Sequence, residues 1–494
     1  MRPNFILMSV LFLLDASLVQ AAFGPNVRVD HQDIPYYCYV PQVVVWQTDT
    51  AFPTVYVVFE RDSGLTNRAD VLFQKSTNGG RTWLPEDLVL HYGEEWAQDP
   101  FIALGQDGTI IVTFREKTLE FYSHTLSVRS TDGGATWQPP VQVDDIAGEV
   151  MTAGGRLAVD SVGDVICAYT DWRTDTARVW TSLSTDCGAS WQPSVRVTYD
   201  TFAQSEYTHP VVCAQPGTGD YYLITKMSYQ RDTVERMFPV LYRSTDRGRT
   251  WDGGIWCDSL FWTMQASVVA DQEHVYCAWT GATSDTSSSS NSTRFQAYFP
   301  EPDTWGPVVR VIDEERYSPY HEPDLAVALN GSIHTTQMVA DLDSNWNYDI
   351  HYRKSTDGGA TWPEFSIVND TLFEHQSDPS LAVDRNGCAY VAWYDFRNLY
   401  KSQIWFATDR ELAIEESRMP ASAEFPEAST IARGLLFLPE ATSRKFQAAS
   451  LLDISGRKVM ALRSGPNDVR ALAPGVYFVR KAQAQAVRKV VLLR

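Results

Sequence analysis

Cysteine is scarce and scattered in this 494-residue chain. Its seven cysteines (Cys38, Cys167, Cys187, Cys213, Cys257, Cys277 and Cys388) form no CxxC pair and no metal-ligand spacing. That excludes a zinc module and argues against a disulfide framework. Cys167, Cys277 and Cys388 recur at similar points of apolar runs, as small core residues do. Positive charge is also short, with 41 Lys and Arg against 61 Asp and Glu, a net charge of −20. Such a balance excludes nucleic acid and anionic membrane surfaces as general partners. Long apolar runs are missing as well. The one at the N-terminus, Phe5 to Leu14 after Arg2, is too short to span a bilayer and leads into Val19-Gln20-Ala21-Ala22. This is the pattern of a secretory signal peptide, residues 1–21, cut after Ala21. No transmembrane span is expected.

What the chain has instead is a repeat. The octapeptide Ser-x-Asp/Asn-x-Gly-x-Thr/Ser-Trp occurs at Ser76–Trp83, Ser130–Trp137, Ser184–Trp191, Ser244–Trp251 and Ser355–Trp362, with a worn copy at Asp303, Thr304 and Trp305. The six tryptophans are 54, 54, 60, 54 and 57 residues apart. A period of this size holds four short strands and their turns, which marks a radial array such as a β-propeller. Within each phrase the acidic or amide side chain can accept backbone amides two or three residues on. The glycine supplies a positive φ, and the tryptophan fills the wedge between sheets.

The rest of each unit reads as strands. Apolar, β-branched and aromatic runs bounded by turn residues recur at Ile110–Phe114, Val165–Tyr169, Tyr221–Thr225, Val275–Trp279 and Ala389–Trp393. The first-and-second-strand pattern starts seven times, near residues 40, 98, 152, 208, 265, 322 and 377. The last copy stops after Ile404–Ala407 without a fourth strand, while Asn26–Asp30 looks like a fourth strand without a sheet. The fold class is therefore all-β: a seven-bladed propeller over residues 22–409, closed by the N-terminal strand, with six blades as the alternative. No free sheet edge is then left to aggregate.

Residues 410–433 turn to Glu, Ala, Ser and Pro and read as a linker; residues 434–494 read as a small β-sandwich. Charge separates the parts: residues 433–494 carry 12 basic and 3 acidic groups, net +9, whereas residues 22–432 carry 28 against 57, net −29.

The octapeptide resembles the Asp box of sialidase-like proteins. The Gly456-Arg457-Lys458 turn, the Pro474-Gly475-Val476-Tyr477-Phe478 segment and the terminal Lys489-Val490-Val491-Leu492-Leu493-Arg494 resemble the type A sorting domain of type IX (Por) secretion cargo. Together these resemblances imply export from a Gram-negative bacterium of the Bacteroidetes kind, with the type IX machinery as a partner and the chain secreted or held on the outer-membrane surface. They also imply action on an extracellular glycan or glycoprotein at the axial face, opposite the Asp boxes. A retaining sialidase uses three arginines, a Tyr–Glu nucleophile pair and an Asp acid–base. Carried onto this chain, these roles fall to Arg115, Arg173 and Arg397 as the clamp, to Tyr207 with Glu206 or Tyr320 with Glu322, and to Asp99. His209, His321, Trp96 and Trp262 join them as substrate-binding residues on the same face. The arginines bind a carboxylate bidentately. A neutral nucleophile suits an anionic anomeric centre.

The sequence departs from that pattern: Tyr39-Val40-Pro41-Gln42 stands where the family's Arg-Ile-Pro segment belongs, and the arginines lie after second strands. Several alternatives therefore stay open. One is a carboxylate pair among Asp99, Glu149, Glu206, Glu322, Glu374 and Asp378 acting as a glycoside hydrolase. Another is a non-catalytic glycan- or protein-binding scaffold. Trp/Tyr-x-Asp-x-Arg at Tyr169–Arg173 and Trp393–Arg397 also fits a rim ion pair repeated between blades. No cofactor is expected. The alternating Asp341 to Asp349 segment lacks the glycine and glutamate of a calcium loop and reads as solvated, so no metal is expected either.

Overall fold

The computed structural model describes residues 23–410 and 430–493, apart from short segments at 33–35, 48–51, 63–67, 92–95, 118–121, 200–203, 232–233, 258–261, 283–290, 313–316, 342–346, 364, 372–373, 398–400, 434, 439–448, 454–456, 464, 474 and 482–486. The signal segment, most of the expected linker and Glu94–Glu95 lie outside the described residues. The chain divides into two compact units, Met1–Leu412 and Ala413–Arg494.

Among the described residues the first unit holds seven antiparallel sheets. Sheets 1 to 4 run Tyr37–Val89, Trp96–Gln142, Thr152–Arg196 and Glu206–Trp256, each with four strands in sequence order. Sheet 5 spans Trp262–Ile312 and has five strands, because Thr304–Trp305 and Val309–Ile312 both pair with its third strand. Sheet 6 runs Tyr317–Ile367. Sheet 7 takes three strands from Gln376–Thr408 and its fourth from Val27–Arg28, which pairs with Phe406 and Trp405. The first strand of each sheet neighbours the first strands of both flanking sheets, and that of sheet 7 neighbours that of sheet 1. The sheets thus close on themselves around an axis.

Second strands are sandwiched between neighbouring sheets, which is why they read as continuous apolar runs rather than alternating ones. Val165–Asp171 is buried at every position. The repeated octapeptides lock each sheet to the one before it. In the second copy, Ser130 Oγ accepts from the Gly134 amide at 2.9 Å while Asp132 Oδ1 accepts from the amides of Ala135 and Thr136 at 3.0 and 2.9 Å. The serine hydroxyl thus shares the work that the sequence reading gave to the acidic residue alone. The fifth-position glycines of these turns (Gly80, Gly134, Gly188, Gly248 and Gly359) have φ between 76° and 92°, and a Cβ on Gly134 would meet the Phe73 ring of sheet 1 at 2.6 Å. Trp137 packs edge-on to the same Phe73, Trp83 to Phe406 of sheet 7 and Trp362 to Phe295 of sheet 5. Trp191 and Trp251 instead donate Nε1 to Ser127 and Thr181 of the preceding sheet. In the worn copy Trp305 turns back onto Tyr298 of its own sheet. The contact between Trp83 and Phe406 carries this lock across the join between the last sheet and the first.

The second unit holds a five-stranded sheet, built from Thr430–Arg433, Val487–Leu493, Gly475–Lys481, Ala449–Leu452 and Lys458–Leu462, and a two-stranded one of Leu435–Leu438 with Gly465–Asp468. Leu436, Leu451, Leu462, Val469, Tyr477 and Val479 form its core. Thr430–Arg433, assigned to the linker from composition, is a strand here, parallel to Val487–Leu493. A four-residue edge strand is too short to show a period. All seven cysteines are free thiols.

Candidate functional site at the ring axis

Every first strand breaks register near its start. The breaks fall between Tyr39 and Gln42, Gln98 and Phe101, Ala153 and Arg156, Thr208 and Val211, Thr263 and Gln265, Tyr320 and Asp324, and Ser377 and Ser380. Four of these bulges are an X-Pro step whose first residue is left-handed: Val40 at φ 48°, Asp99 at 52°, His209 at 55° and Asp378 at 46°. Gly154, at 69°, occupies the same place in sheet 3. A β-branched residue such as Val40 rarely adopts this region, which Asp and His enter more readily, and any residue before proline prefers an extended backbone. Bulges re-aim side chains, and strain of this kind collects at functional sites. Here the re-aimed positions face the axis.

The axis itself is a cavity of about 860 Å³ lined by the first strands of all seven sheets. Its polar wall includes Asp99, Arg156, His209, Gln265, Asp324 and Asp378, with Trp172 beside them; Val45, Leu104, Val159, Ala214, Val269 and Ala382 line it further along the strands. A site of this size with an aromatic and a few convergent polar groups suits a sugar or a short oligosaccharide.

Second strands add charge at one rung, the position opposite the residue that precedes the bulge. That rung carries Glu60, Arg115 and Lys226 in sheets 1, 2 and 4. Glu60 is buried, with 6% exposure, and accepts from Gln98 Nε2 at 3.2 Å and from the Asp99 amide at 3.4 Å. Arg115 pairs with Asp99 at 3.1 Å and donates to Gln98 Oε1 at 3.1 Å. Burial, then the charge of Asp99, push the Glu60 carboxyl up to about 7, against the hydrogen bonds that favour its ionised form. On sheet 4 His209 presents an exposed face to the cavity, with Nδ1 3.0 Å from Thr208 Oγ1. Enclosure by the ring wall, then the charges of Lys226 and Arg156, lower its pKa to about 4, so its imidazole is neutral at pH 7. The guanidinium of Arg156 lies over the Phe101 ring at 5.0 Å.

Of the residues expected from sequence, Asp99, Arg115, His209 and, from the carboxylate-pair alternative, Asp378 come together here. Arg173 and Arg397 are instead held in place by the Asp two residues before each of them. Arg173 bonds Asp171 at 2.7 Å and Asp145 at 2.8 Å over Trp180; Arg397 bonds Asp395 at 2.7 Å and Asp370 at 2.9 Å over Trp405. The rim ion-pair alternative describes both, since each guanidinium is already paired with two protein carboxylates. Tyr207 is fully buried in the core between sheets with Tyr242 and Val240, out of reach of a substrate on the axis. Glu206 and Glu149 are exposed, and Tyr320 packs edge-on to Tyr348. Trp96 is half-buried under Lys117 and does not line the cavity. His321, Glu322 and Trp262 lie on first strands, and their side chains fall outside the described residues. Glu60, Lys226 and Arg156 escaped the sequence reading. A charged residue ending the apolar run Val55–Phe59 was the available signal for Glu60. Among the described residues no group of three or more His, Cys, Asp or Glu could hold a metal, and Asp349 of the oxygen-rich segment is bonded by Asn369 at 2.7 Å.

No family model matches the sequence, and no curated protein matches it significantly. Solved structures do resemble it. A PL25 ulvan lyase superposes with a TM-score of 0.52 at 11% identity, covering 77% of this chain and 95% of its own. The α-L-arabinofuranosidase Arb93A of Fusarium graminearum gives 0.47 at 13% identity, covering 78% and 98%. The Hadza microbial sialidase Hz136 gives 0.42 at 17%, covering 75% and 65%. The likeness to the ulvan lyase is one of fold, and with the closed set of antiparallel sheets it is consistent with a β-propeller.

Proposed function

We propose that this chain is an exported, glycan-acting propeller of seven blades whose site is the axial cavity. The observation that carries the reading is the set of left-handed bulge residues, Asp99, His209 and Asp378, turned onto one cavity at equivalent places in three sheets. In this reading Asp99, supported by Arg115, is the acid–base group, and a second axial carboxylate, Asp378 or Asp324, completes a pair. Arg156, Lys226 and neutral His209 bind sugar hydroxyls or an acidic substituent, and Trp172 offers an aromatic face. Exo-sialidase chemistry with Tyr207 as nucleophile is not part of the proposal, because that hydroxyl is sealed in the core. Glycan-acting names among the fold neighbours agree with the reading but do not carry it.

The cationic C-terminal unit is proposed to be the address read by the type IX secretion machinery, leaving the propeller secreted or on the outer-membrane surface. A chain lacking residues 434–494 should then stay in the periplasm of its host.

The test is incubation of the full chain with a panel of neutral, acidic and sulfated polysaccharides and aryl glycosides, beside Asp99→Asn. Reducing ends that appear with wild type and fall by about 10² or more in the variant support the reading. Products carrying an ultraviolet-absorbing double bond would indicate elimination, with His209 as the base. Binding without products would make the cavity a recognition site, the scaffold reading.

A further inference from the structure

Glu60 stands where an apolar residue would be expected, at the end of the fully buried stretch Val55–Phe59. A buried carboxyl needs partners, and Glu60 finds them across the boundary to sheet 2. One is the Asp99 amide. Asp99 and Pro100 lie between the paired residues Gln98 and Phe101, so the bulge takes the Asp99 N–H out of the ladder, and Pro100 has no N–H to offer. The other partner is Gln98, whose amide group is oriented by donating to Glu60 and accepting from Arg115. Arg115 closes the circuit on the Asp99 carboxylate. Four side chains from two sheets thus form one loop of contacts around the residue that faces the cavity.

Resting on the axial-site reading, we propose that Glu60 is the positioning residue for Asp99: it braces the left-handed turn and sets, through its own charge, the electrostatic field at the carboxyl presented to the cavity. The charged and titratable groups around Glu60 are Tyr39 from the first strand, Asp62 on its own strand, and Asp99 and Arg115 from sheet 2. Burial falls hardest on Glu60, so the proton resides there, and its loss near neutrality places a second negative charge beside Asp99. Asp99 therefore meets two different environments on either side of about pH 7 with no movement of the chain.

The experiment is a carbon-13 NMR titration of the full chain labelled at glutamate side-chain carboxyls, with Glu60 identified by the signal lost in Glu60→Gln. The expected result is a midpoint near 7 that drops by about one pH unit or more in Asp99→Asn. Amide hydrogen exchange at Asp99 should quicken about tenfold or more in Glu60→Ala and stay slow in Glu60→Gln, which keeps the acceptor. A Glu60 midpoint near 4.5, or one unmoved by Asp99→Asn, overturns the proposal. So does an Asp99 amide that exchanges equally slowly in all variants. Neither readout needs a substrate, so an absence of turnover would count against the glycan-cleaving reading alone.

Discussion

Charge at single residues is the finest control in this molecule. Glu60 is nearly sealed from solvent, and its carboxyl is raised from 4.5 to about 7. Because the folded value is raised, its contribution is fully present below about pH 4.5 and is lost as pH rises through 7. The difference corresponds to about 3 kcal/mol. Urea denaturation between pH 5 and 8 should therefore show wild type losing stability relative to Glu60→Gln; parallel curves would contradict the burial argument. The turn carboxylates Asp132 and Asp357 behave oppositely. Hydrogen bonds from Thr136 and Thr361 hold them down at about 2, so their contribution is present above about 4 and fades as pH falls towards 2. Arg397 shows how an arginine expected to bind substrate serves structure instead. Its removal leaves the Asp395 carboxylate, whose side chain is fully covered, without its cation. Arg397→Ala should lose about 3–5 kcal/mol in denaturant unfolding. Saccharide affinity at the axis, measured by calorimetry, should be unchanged.

At the scale of the element, the repeated turn and the bulge differ in how far sequence reveals them. The turn is local: Ser, Asp, Gly and Trp meet within eight residues, so their spacing carries the geometry. Its consequence for packing is sharp. An alanine Cβ at Gly359 would overlap the Phe295 ring of the preceding sheet, whereas one at Gly358, with φ 72°, meets nothing within 4 Å. Gly359→Ala should cost about 2–5 kcal/mol and Gly358→Ala only about 1–2, as read from thermal unfolding. Equal losses would mean that the turn does not abut its neighbour. The bulge, by contrast, is defined by register between strands, which no short window displays. Val40-Pro41, Asp99-Pro100, His209-Pro210 and Asp378-Pro379 were visible as X-Pro pairs, but their left-handed backbone was not. For the same reason Lys226 and Arg156 were hidden within strands, and Arg173 and Arg397 were credited to the site. Their partners Asp145 and Asp370 lie 28 and 27 residues away in sequence.

At the scale of the whole molecule, the ring closes only because the chain returns to its beginning. Val27–Arg28 completes sheet 7, Asp30 accepts the Ile404 amide at 2.7 Å, and Val29 is fully buried against sheets 1 and 7. The orphan strand at the N-terminus foretold this closure, since seven first strands faced only six fourth strands. Removing residues 22–30 should open sheet 7 and lower Tm by at least about 5 °C in calorimetry. An unchanged Tm would mean that the closing strand is dispensable. The wide ring is also what leaves the axial cavity, which is proposed to hold a saccharide. A crystal structure of the full chain grown with the best ligand from the polysaccharide panel tests that claim most directly. Sugar density is expected on the axis, within hydrogen-bonding distance of Asp99 and His209. Density on the face of the repeated turns, with the axis empty, would contradict it.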